Sequence, residues 1–263
     1  ALCLCIGLCA NAKEKQNRLP ILSDFPKVAE TGGRGWFDLS SASIIWDAAD
    51  EPVVGIAAGM LADDVQRVTG KRPEIAAVDA ISRTSCLPAV VAGTLGHSRI
   101  IDSLVANGLL DVSQIMGKWE SFLVVTLRDK GRPMLVIVGS DRRGTAYGLT
   151  SLSGAIGVSP WYWWADVVPQ HKDALYVEPG CFIQGEPSVQ YRGIFINDER
   201  FGGWALWVER NFDKQTGKVG PKVYEKVFEL LLRLKGNLLW PAMHNGSQAF
   251  NADPENARLA DRY

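Results

Sequence analysis

Residues 191–199 read YRGIFINDE, and this stretch determines how the whole chain is interpreted. The first six residues form an apolar strand, and Asn197, Asp198 and Glu199 follow directly at its exit. Polar groups at the exit of an apolar strand are typical of a β/α barrel, because rigid strand ends hold its catalytic groups. The stretch therefore predicts the first strand of a catalytic barrel.

The residues after this strand complete a β/α unit. Pro221 can begin a helix at no cost, because the N–H that proline lacks would have no partner in the first turn. Apolar residues then recur at helical spacing until Gly236. Residues 237–243 predict a second strand, and His244 and Asn245 again place polar groups at the strand's exit.

The length and charge of the chain limit the choices. With 263 residues there is room for one large or two ordinary domains. A complete (β/α)8 barrel needs about 250 residues by itself, yet its predicted first strand begins only near residue 190. The chain also lacks an initiator Met, so we expect a fragment of a longer reading frame. The formal net charge of −1 provides no basic surface, so we expect no nucleic-acid partner.

The N-terminal residues have the pattern of a secretory signal. Residues 1–9 are apolar but too few to span a bilayer, and the small-x-small triplet at 10–12 precedes charged residues. We therefore expect residues 1–12 to be a signal-peptide remnant and the protein to be secreted or periplasmic, without a membrane span. Cys86 and Cys181 then remain; they form no metal motif, and a disulfide between them is allowed but not required.

The alternation of predicted strands and helices indicates a mixed-sheet α/β domain over residues 13–185, which ends in a linker. Residues 186–263 are expected to form the start of the barrel. The short connection at 130–132 predicts that the two strands beside it form an antiparallel hairpin. Pro and Gly at intervals between Pro169 and Pro187 indicate the linker. Strands are predicted at 43–46, 88–93, 121–127 and 133–139, and helices at 53–68, 98–107 and from 140 or 141 to about 156.

Two motifs of the first domain allow more than one interpretation. Residues 139–144, GSDRRG, have the look of a phosphate loop but lack the Lys-Ser/Thr pair that would hold phosphate and magnesium. We favour helix capping and contact with a neighbouring domain, while Arg142 and Arg143 could bind an acidic substrate. The aromatic run at 161–164 predicts a wedge between domains, which we favour, or a sugar-stacking platform. In an extended segment at most two of the four rings would share a surface.

The polar triplet after the first barrel strand supplies the candidate catalytic group. In an extended strand Asn197 and Glu199 face one side and Asp198 faces the other. Neighbouring carboxylates therefore cannot form an acid/base pair, and a glycosidase needs a second carboxyl from another strand. We favour Glu199 as the catalytic or sugar-binding carboxylate, with Asn197 as its hydrogen-bonding neighbour. The alternative is that Asp198 or Glu199 only caps the loop or pairs with a nearby arginine.

The other expected substrate contacts lie at or after the two predicted strands. His244 could donate a hydrogen bond to a sugar hydroxyl or carboxylate, or it is simply a packed or surface histidine. Asp198, Asn245 and Trp207, in the loop after the first strand, complete this set. No spacing of His, Cys and carboxylates suggests a metal, so we expect neither a metal nor a cofactor.

Five blocks make the chain resemble glycoside hydrolase family 115, the xylan α-1,2-glucuronidases. The resemblance implies an inverting enzyme, often dimeric, that frees glucuronic acid or its 4-O-methyl ether from glucuronoxylan. The strand-end Glu of the family matches Glu199, and the general acid of the family belongs to a later strand, beyond Tyr263. We expect the 263-residue piece to be inactive by itself. The matching blocks are residues 117–122, 139–148, 158–166, 191–199 and 234–244.

Two other functions stay open at this point. An exo-acting, hexosaminidase-like glycosidase with a similar leading α/β domain would show an Asp-Glu pair on a later strand. A non-catalytic carbohydrate-binding protein on a barrel scaffold would bind sugar even after Glu199→Gln, without hydrolysing it. Analogy of fold alone does not separate these functions.

Overall fold

A computed structural model describes residues 20–78, 87–129, 131–198, 204–212, 214, 218–244 and 247–263. Its helices are α1 (Pro52–Thr69), α2 (Arg99–Ala106), α3 (Arg142–Ile156), α4 (Trp204–Trp207), α5 (Pro221–Arg233) and α6 (Pro254–Arg262). Its strands are β1 (Ile21–Leu22), β2 (Val28–Ala29), β3 (Phe37–Asp38), β4 (Ser43–Asp47), β5 (Ile75–Val78), β6 (Ala89–Thr94), β7 (Phe122–Asp129), β8 (Arg132–Gly139), β9 (Tyr176–Val177), β10 (Cys181–Gln184), β11 (Gly193–Phe195) and β12 (Leu238–Trp240).

Seven of these strands form one mixed sheet in the order β1-β10-β7-β8-β6-β4-β5. The four strands from β8 to β5 run parallel, whereas β7 pairs antiparallel with both β8 and β10. The predicted hairpin is confirmed, because Asp129 pairs with Arg132 across the turn. A separate three-stranded antiparallel sheet has the order β2-β9-β3. This mixed α/β architecture agrees with the predicted class of the first domain.

The period-two pattern of the central strands builds a core on each face of the large sheet. Leu135 and Ile137 of β8 face the core formed with α1 and α3. Met134 and Val136, which alternate with them, face the core formed with α2. Because both faces are covered, the central strands are apolar at nearly every position.

Local signals set the ends of the first and third helices. Pro52 begins α1, and Gly70 ends it in the left-handed conformation with φ of 76°. The side chain of Asp141 caps α3 by accepting a hydrogen bond from the backbone N–H of Gly144 at 2.8 Å. Of the two caps that the sequence allows, Ser140 and Asp141, the structure therefore uses Asp141.

The predicted linker between Pro169 and Pro187 is wrong for most of its length. This segment contains β9 and β10, and β10 lies inside the large sheet between β1 and β7. Phe182 faces the core with α1 and α3, while Cys181 and Ile183 pack on the opposite core. The Pro and Gly residues mark the turns around these short strands. Cys181 is free among the described residues, which do not include Cys86.

The second part of the chain begins with a parallel β/α/β unit. Strands β11 and β12 pair in parallel, with Gly193 opposite Leu238 and Phe195 opposite Trp240. A Cβ on Gly193 would lie 2.0 Å from the Leu238 carbonyl oxygen, so only glycine allows this close approach. Helix α5 covers one face of the pair and also packs against α3 of the first domain.

Candidate functional site

The candidate site lies where β11 and β12 end. Phe195 and Asn197 are exposed on one face of the chain, whereas Ile196 and Asp198 are buried on the face towards α5. The predicted separation of Asn197 from Asp198 onto opposite faces is confirmed. Glu199, the candidate catalytic carboxylate, lies outside the described residues, and so does Asn245.

Asp198 fastens the end of β11 to the loop after β12. Its Oδ2 accepts hydrogen bonds from the backbone N–H groups of Met243 at 3.0 Å and His244 at 2.8 Å. The hydroxyl of Ser247 donates a third, short hydrogen bond to the same oxygen. Because Asp198 is only 2% exposed, the structure gives it the loop-holding role that was the alternative interpretation. Its predicted contact with substrate stays a prediction.

The surroundings of Asp198 also set its charge. Burial alone would raise the pKa of this carboxyl, but the hydrogen bonds from Ser247, His244 and Met243 outweigh burial and lower the pKa below its usual value. The group is therefore an anion at neutral pH. Its other oxygen, Oδ1, is buried and has no hydrogen-bond partner among the described residues.

His244 is exposed in the loop after β12, and hydrogen bonds hold its main chain on both sides. Its N–H donates to Asp198, and its carbonyl oxygen accepts a hydrogen bond from the N–H of Ser247 at 3.0 Å. The imidazole therefore projects from a backbone segment that buried contacts hold in place. This placement suits the predicted hydrogen bond to a sugar, which stays a prediction.

An apolar face extends from these strand ends along β11 and β12. The rings of Phe195 and Trp240 meet edge to face, with centroids 5.3 Å apart. Both rings are more than half exposed, at 56% and 60%. Tyr191 and Met243, which lie a few residues away in the sequence, are also exposed. An apolar surface of this kind normally binds a ligand or further protein.

Trp207 belongs to an aromatic cluster rather than to a loop. It lies in α4 and packs near Trp163 and Trp164, at centroid distances of 6.1 and 6.4 Å. It also stacks on Phe212, which follows in a π-helical turn. Trp207 remains 40% exposed, so one part of its surface is available to a ligand.

The aromatic run at 161–164 packs between the two parts of the chain. The assumption that it is extended is wrong. The N–H of Ala165 donates to the carbonyl oxygen of Trp161 at 2.8 Å, which closes a helical turn. A turn places Trp163 and Trp164 on the same side, where an extended segment would separate them. The hydroxyl of Tyr162 donates to Glu229 on α5 at 2.7 Å. The favoured interpretation, contact between the two parts of the chain, is confirmed.

Of the two arginines of the GSDRRG segment, Arg142 bonds to the second part of the chain, whereas Arg143 bonds within the first domain. Arg143 donates through Nε to the buried Glu120 at 2.6 Å. Arg142 donates to the main-chain oxygen of Asp261 at 3.4 Å and lies 3.8 Å from Glu51. Both line a cavity of about 360 Å³ between α3, α5 and α6. Their predicted contact with an acidic substrate stays a prediction.

Several amides in and next to this segment are already hydrogen-bonded within the protein. The N–H of Ser140 donates to the Ser121 carbonyl oxygen, and that of Thr145 donates to the Asp141 carbonyl oxygen. A Cβ on Gly144 would lie 2.3 Å from the Ser121 oxygen, so this glycine serves close packing. Since these amides are already bonded within the protein, they form no anion cradle.

Two residues that hold the site's surroundings in place, Glu120 and Ser247, were not predicted from the sequence. Glu120 is buried and contacts residues far away in the sequence, and nothing in its neighbourhood indicates those partners. Ser247 follows His244 by three residues, a spacing that a turn-forming serine often has. Within the described ranges no group of His, Cys, Asp and Glu could hold a metal ion. No helix of these ranges has both the length and the apolar character needed to cross a membrane.

Comparison with known proteins places this geometry in a family. The model of glycosyl hydrolase family 115 matches residues 184–263, which include β11, β12 and the candidate site. The solved structure of a family GH115 4-O-methyl-α-glucuronidase, BtGH115A, with specificity for decorated arabinogalactans, superposes with a TM-score of 0.72. It is 34% identical and covers 86% of this chain. The chain belongs to glycoside hydrolase family 115.

The present chain spans 28% of the length of BtGH115A. Other solved structures are less similar. A Streptomyces plicatus β-hexosaminidase variant in complex with GlcNAc matches at 14% identity over 82% of this chain and 32% of its own, with a TM-score of 0.43. A Vibrio harveyi GH20 exo-β-N-acetylglucosaminidase matches at 12% identity over 84% of this chain and 24% of its own, with a TM-score of 0.41. No curated protein sequence matches the chain.

Proposed function

We propose that this protein is a glycoside hydrolase that removes glucuronic acid, or its 4-O-methyl ether, from the side chains of a polysaccharide. The observation that carries the proposal is the 34% identity to BtGH115A over 86% of this chain. The placement of polar residues at two neighbouring strand ends supports it, because substrate groups are bound at such ends in α/β enzymes. In this proposal no cofactor or metal takes part.

Residues 186–263 would form the first units of a (β/α)8 barrel. The parallel pair β11–β12 and helix α5, which connects the strands and covers one face, fit that architecture. The opposite face carries the exposed rings of Phe195 and Trp240, and in a barrel this face is the interior. The piece described here would then be inactive alone, because it lacks the strands that complete the site.

Glu199 is the residue to which we assign a catalytic carboxylate. It follows Asp198, whose buried hydrogen bonds fix the backbone at the end of β11. Inverting hydrolysis uses two carboxyl groups roughly 6.5–9.5 Å apart, one to protonate the leaving oxygen and one to activate water. The second carboxyl would come from a later strand. Asn197, His244, Asn245 and Trp207 would contact the sugar around it.

Two polysaccharides compete as the substrate. Resemblance to the family points to glucuronoxylan, whereas BtGH115A has specificity for decorated arabinogalactans. We propose glucuronoxylan as the substrate and include the arabinogalactan as the competing one. A secreted or periplasmic location fits a polymeric substrate, and a homodimer is also part of the proposal.

The test uses the complete gene product. Uronic acid release is measured from glucuronoxylan and from glucuronic-acid-decorated arabinogalactan, with the 263-residue piece as a second sample. We expect release from glucuronoxylan by the complete protein only. Proton NMR of the first product should show the β-anomer, because inversion of an α-linkage gives that anomer.

Each alternative outcome changes a defined part of the proposal. Release only from the arabinogalactan would replace the backbone and keep the glucuronidase activity. An α-anomer as first product would refute inversion. Sugar binding by a folded protein without any release would refute the enzyme and favour a carbohydrate-binding protein.

A further inference from the structure

Side chains of the first domain contact the end of α5 and the turn that leads into β12. The hydroxyl of Tyr147 donates to the Gly236 carbonyl oxygen at 3.0 Å. The hydroxyl oxygen of Thr150 lies 3.1 Å from the Leu232 carbonyl oxygen and 3.0 Å from that of Ala146, so the two acceptors share its one hydrogen. Both donors lie on α3 and are buried. The start of β12 is therefore attached to the first domain rather than supported only by its own helix.

Glu120 is the charged group of this contact. It immediately precedes Ser121 and β7, and it is 1% exposed. Its Oε1 accepts hydrogen bonds from Arg143 at 2.6 Å and from the side chain of Asn237 at 2.8 Å. Its Oε2 accepts a short hydrogen bond from Arg192. One carboxylate thus joins the first domain to two separate positions of the second part.

Those two positions are the starts of the two site strands. Arg192 directly precedes β11 and Asn237 directly precedes β12. They also bond to each other, since the N–H of Arg192 donates to Oδ1 of Asn237 at 3.0 Å. In return the N–H of Asn237 donates to the Arg192 carbonyl oxygen at 2.7 Å. Glu120 therefore spans the N-terminal ends of both strands.

The local environment keeps this carboxylate charged and fixed. Burial would raise the pKa of Glu120, but the hydrogen bonds from Arg192, Asn237 and Arg143 outweigh it and lower the pKa. The backbone of Glu120 has a φ of 48°, which a non-glycine residue adopts only when its surroundings impose it. Its N–H donates to the carboxylate of Asp141 at 2.7 Å, which supplies that constraint.

We propose that Glu120 is a positioning residue that sets the register and direction of β11 and β12, and so places the groups at their far ends. From Arg192 to Asp198 the chain advances six residues, or about 20 Å at the rise of a parallel strand. A shift or tilt at the start of either strand is carried to Asp198 and His244. The catalytic part of this inference rests on the proposed hydrolase function; the structural part does not.

The test compares Glu120→Gln with Asp64→Asn in the complete gene product. Asp64 forms another buried ion pair between the same two parts, but its partner Arg233 lies on α5 and not on a strand. Hydrogen exchange is measured at the amides of Asn237, Leu238 and Ile196, which bond between the strands, and kcat and KM are measured for uronic acid release. Both variants are studied where circular dichroism shows them folded.

Glu120→Gln should speed exchange at these three amides by about tenfold or more relative to the rest of the protein. It should lower kcat by about tenfold to a hundredfold and change KM by less than about threefold. In Asp64→Asn the exchange rates of the three amides relative to the rest of the protein should stay within about threefold of the wild-type ratio. The double variant Glu120→Gln/Arg192→Met should lose less than the sum of the two single variants, because one of the contacts of Arg192 is the bond to Glu120.

Other results overturn the inference in distinguishable ways. Unchanged exchange at the three amides, or an increase spread evenly over both parts of the chain, would reduce Glu120 to a general stabilising residue. The same conclusion follows if Asp64→Asn affects the strand amides equally. Absence of uronic acid release from the wild type would refute the proposed function, and the exchange measurement would still decide the positioning role.

Discussion

Removing the carboxylate of Asp64 should destabilise the protein far more than removing that of its neighbour, Asp63. Asp64 lies on α1 with a fully buried side chain, and Arg233 on α5 is 2% exposed. The two groups form a bidentate pair with distances of 2.6 and 3.1 Å. In Asp64→Asn the guanidinium stays buried, and among the described residues Glu229, at 3.0 Å, is its remaining ion-pair partner.

The expected loss follows from the cost of a buried, partly unpaired charge. Removing one partner of a buried ion pair costs roughly 3–5 kcal/mol of unfolding free energy, and the remaining Glu229 contact places Asp64→Asn near 3 kcal/mol. Asp63 pairs with Arg72 at 2.9 Å, but both side chains are nearly half exposed, at 47% and 44%. Such a surface pair contributes less than about 1 kcal/mol.

The assay is urea unfolding followed by tryptophan fluorescence and far-UV circular dichroism. Asp64→Asn should lower the midpoint by on the order of 1 M, and Asp63→Asn by a small fraction of that. Combining Asp64→Leu with Arg233→Met should recover part of the loss, because paired apolar side chains often replace a buried ion pair without cost. If Asp64→Asn costs no more than Asp63→Asn, the buried pair of Asp64 and Arg233 does not stabilise the fold as expected.

Three further predictions concern the first domain. Asp47 accepts hydrogen bonds from Arg99 that lower its pKa from 3.8 to about 2, so the pair stabilises the protein above about pH 4 and the contribution disappears as pH falls towards 2. Because Arg99 is 55% exposed, the contribution is about 1 kcal/mol, and Asp47→Asn should remove about that much of the acid dependence in unfolding titrations across that range. Tyr147→Phe should lower the unfolding free energy by about 1–2 kcal/mol, since a buried carbonyl oxygen of the α5–β12 turn loses its hydroxyl donor; an unchanged urea midpoint would contradict this. Gly139→Ala places a Cβ 2.1 Å from a backbone nitrogen of α3 and should cost about 2–3 kcal/mol, whereas Gly59→Ala in α1 meets no atom within 4 Å and should stabilise by about 0.5–1 kcal/mol in thermal unfolding.

The parts of the fold that could be predicted are those with a long local signal. Strands β6 and β8 and helix α1 each carry a continuous apolar pattern, and Gly70 marks the end of α1. Strands β9 and β10 contain only two and four residues. Strands this short show no periodicity, and they exist because β2, β3 and β7 supply pairing partners.

The faces taken by the side chains after β11 could be predicted from the sequence, but their contacts could not. The alternation of residues 195–198 correctly separates Asn197 from Asp198, since it depends only on strand geometry. The hydrogen bond from Ser247 to Asp198 depends on how the loop after β12 folds back across 49 positions. The link from Glu120 to Asn237 spans 117 positions and depends on the packing of the two parts.

We propose that Glu199 is a catalytic carboxylate of a glucuronidase. The most direct measurement is uronic acid release from glucuronoxylan by the complete gene product, comparing Glu199→Gln with Glu74→Gln, a matched change at an exposed position of the first domain. We expect release to fall by at least about a hundredfold in Glu199→Gln and to be unchanged in Glu74→Gln, with both proteins folded. Equal release from both variants would contradict it.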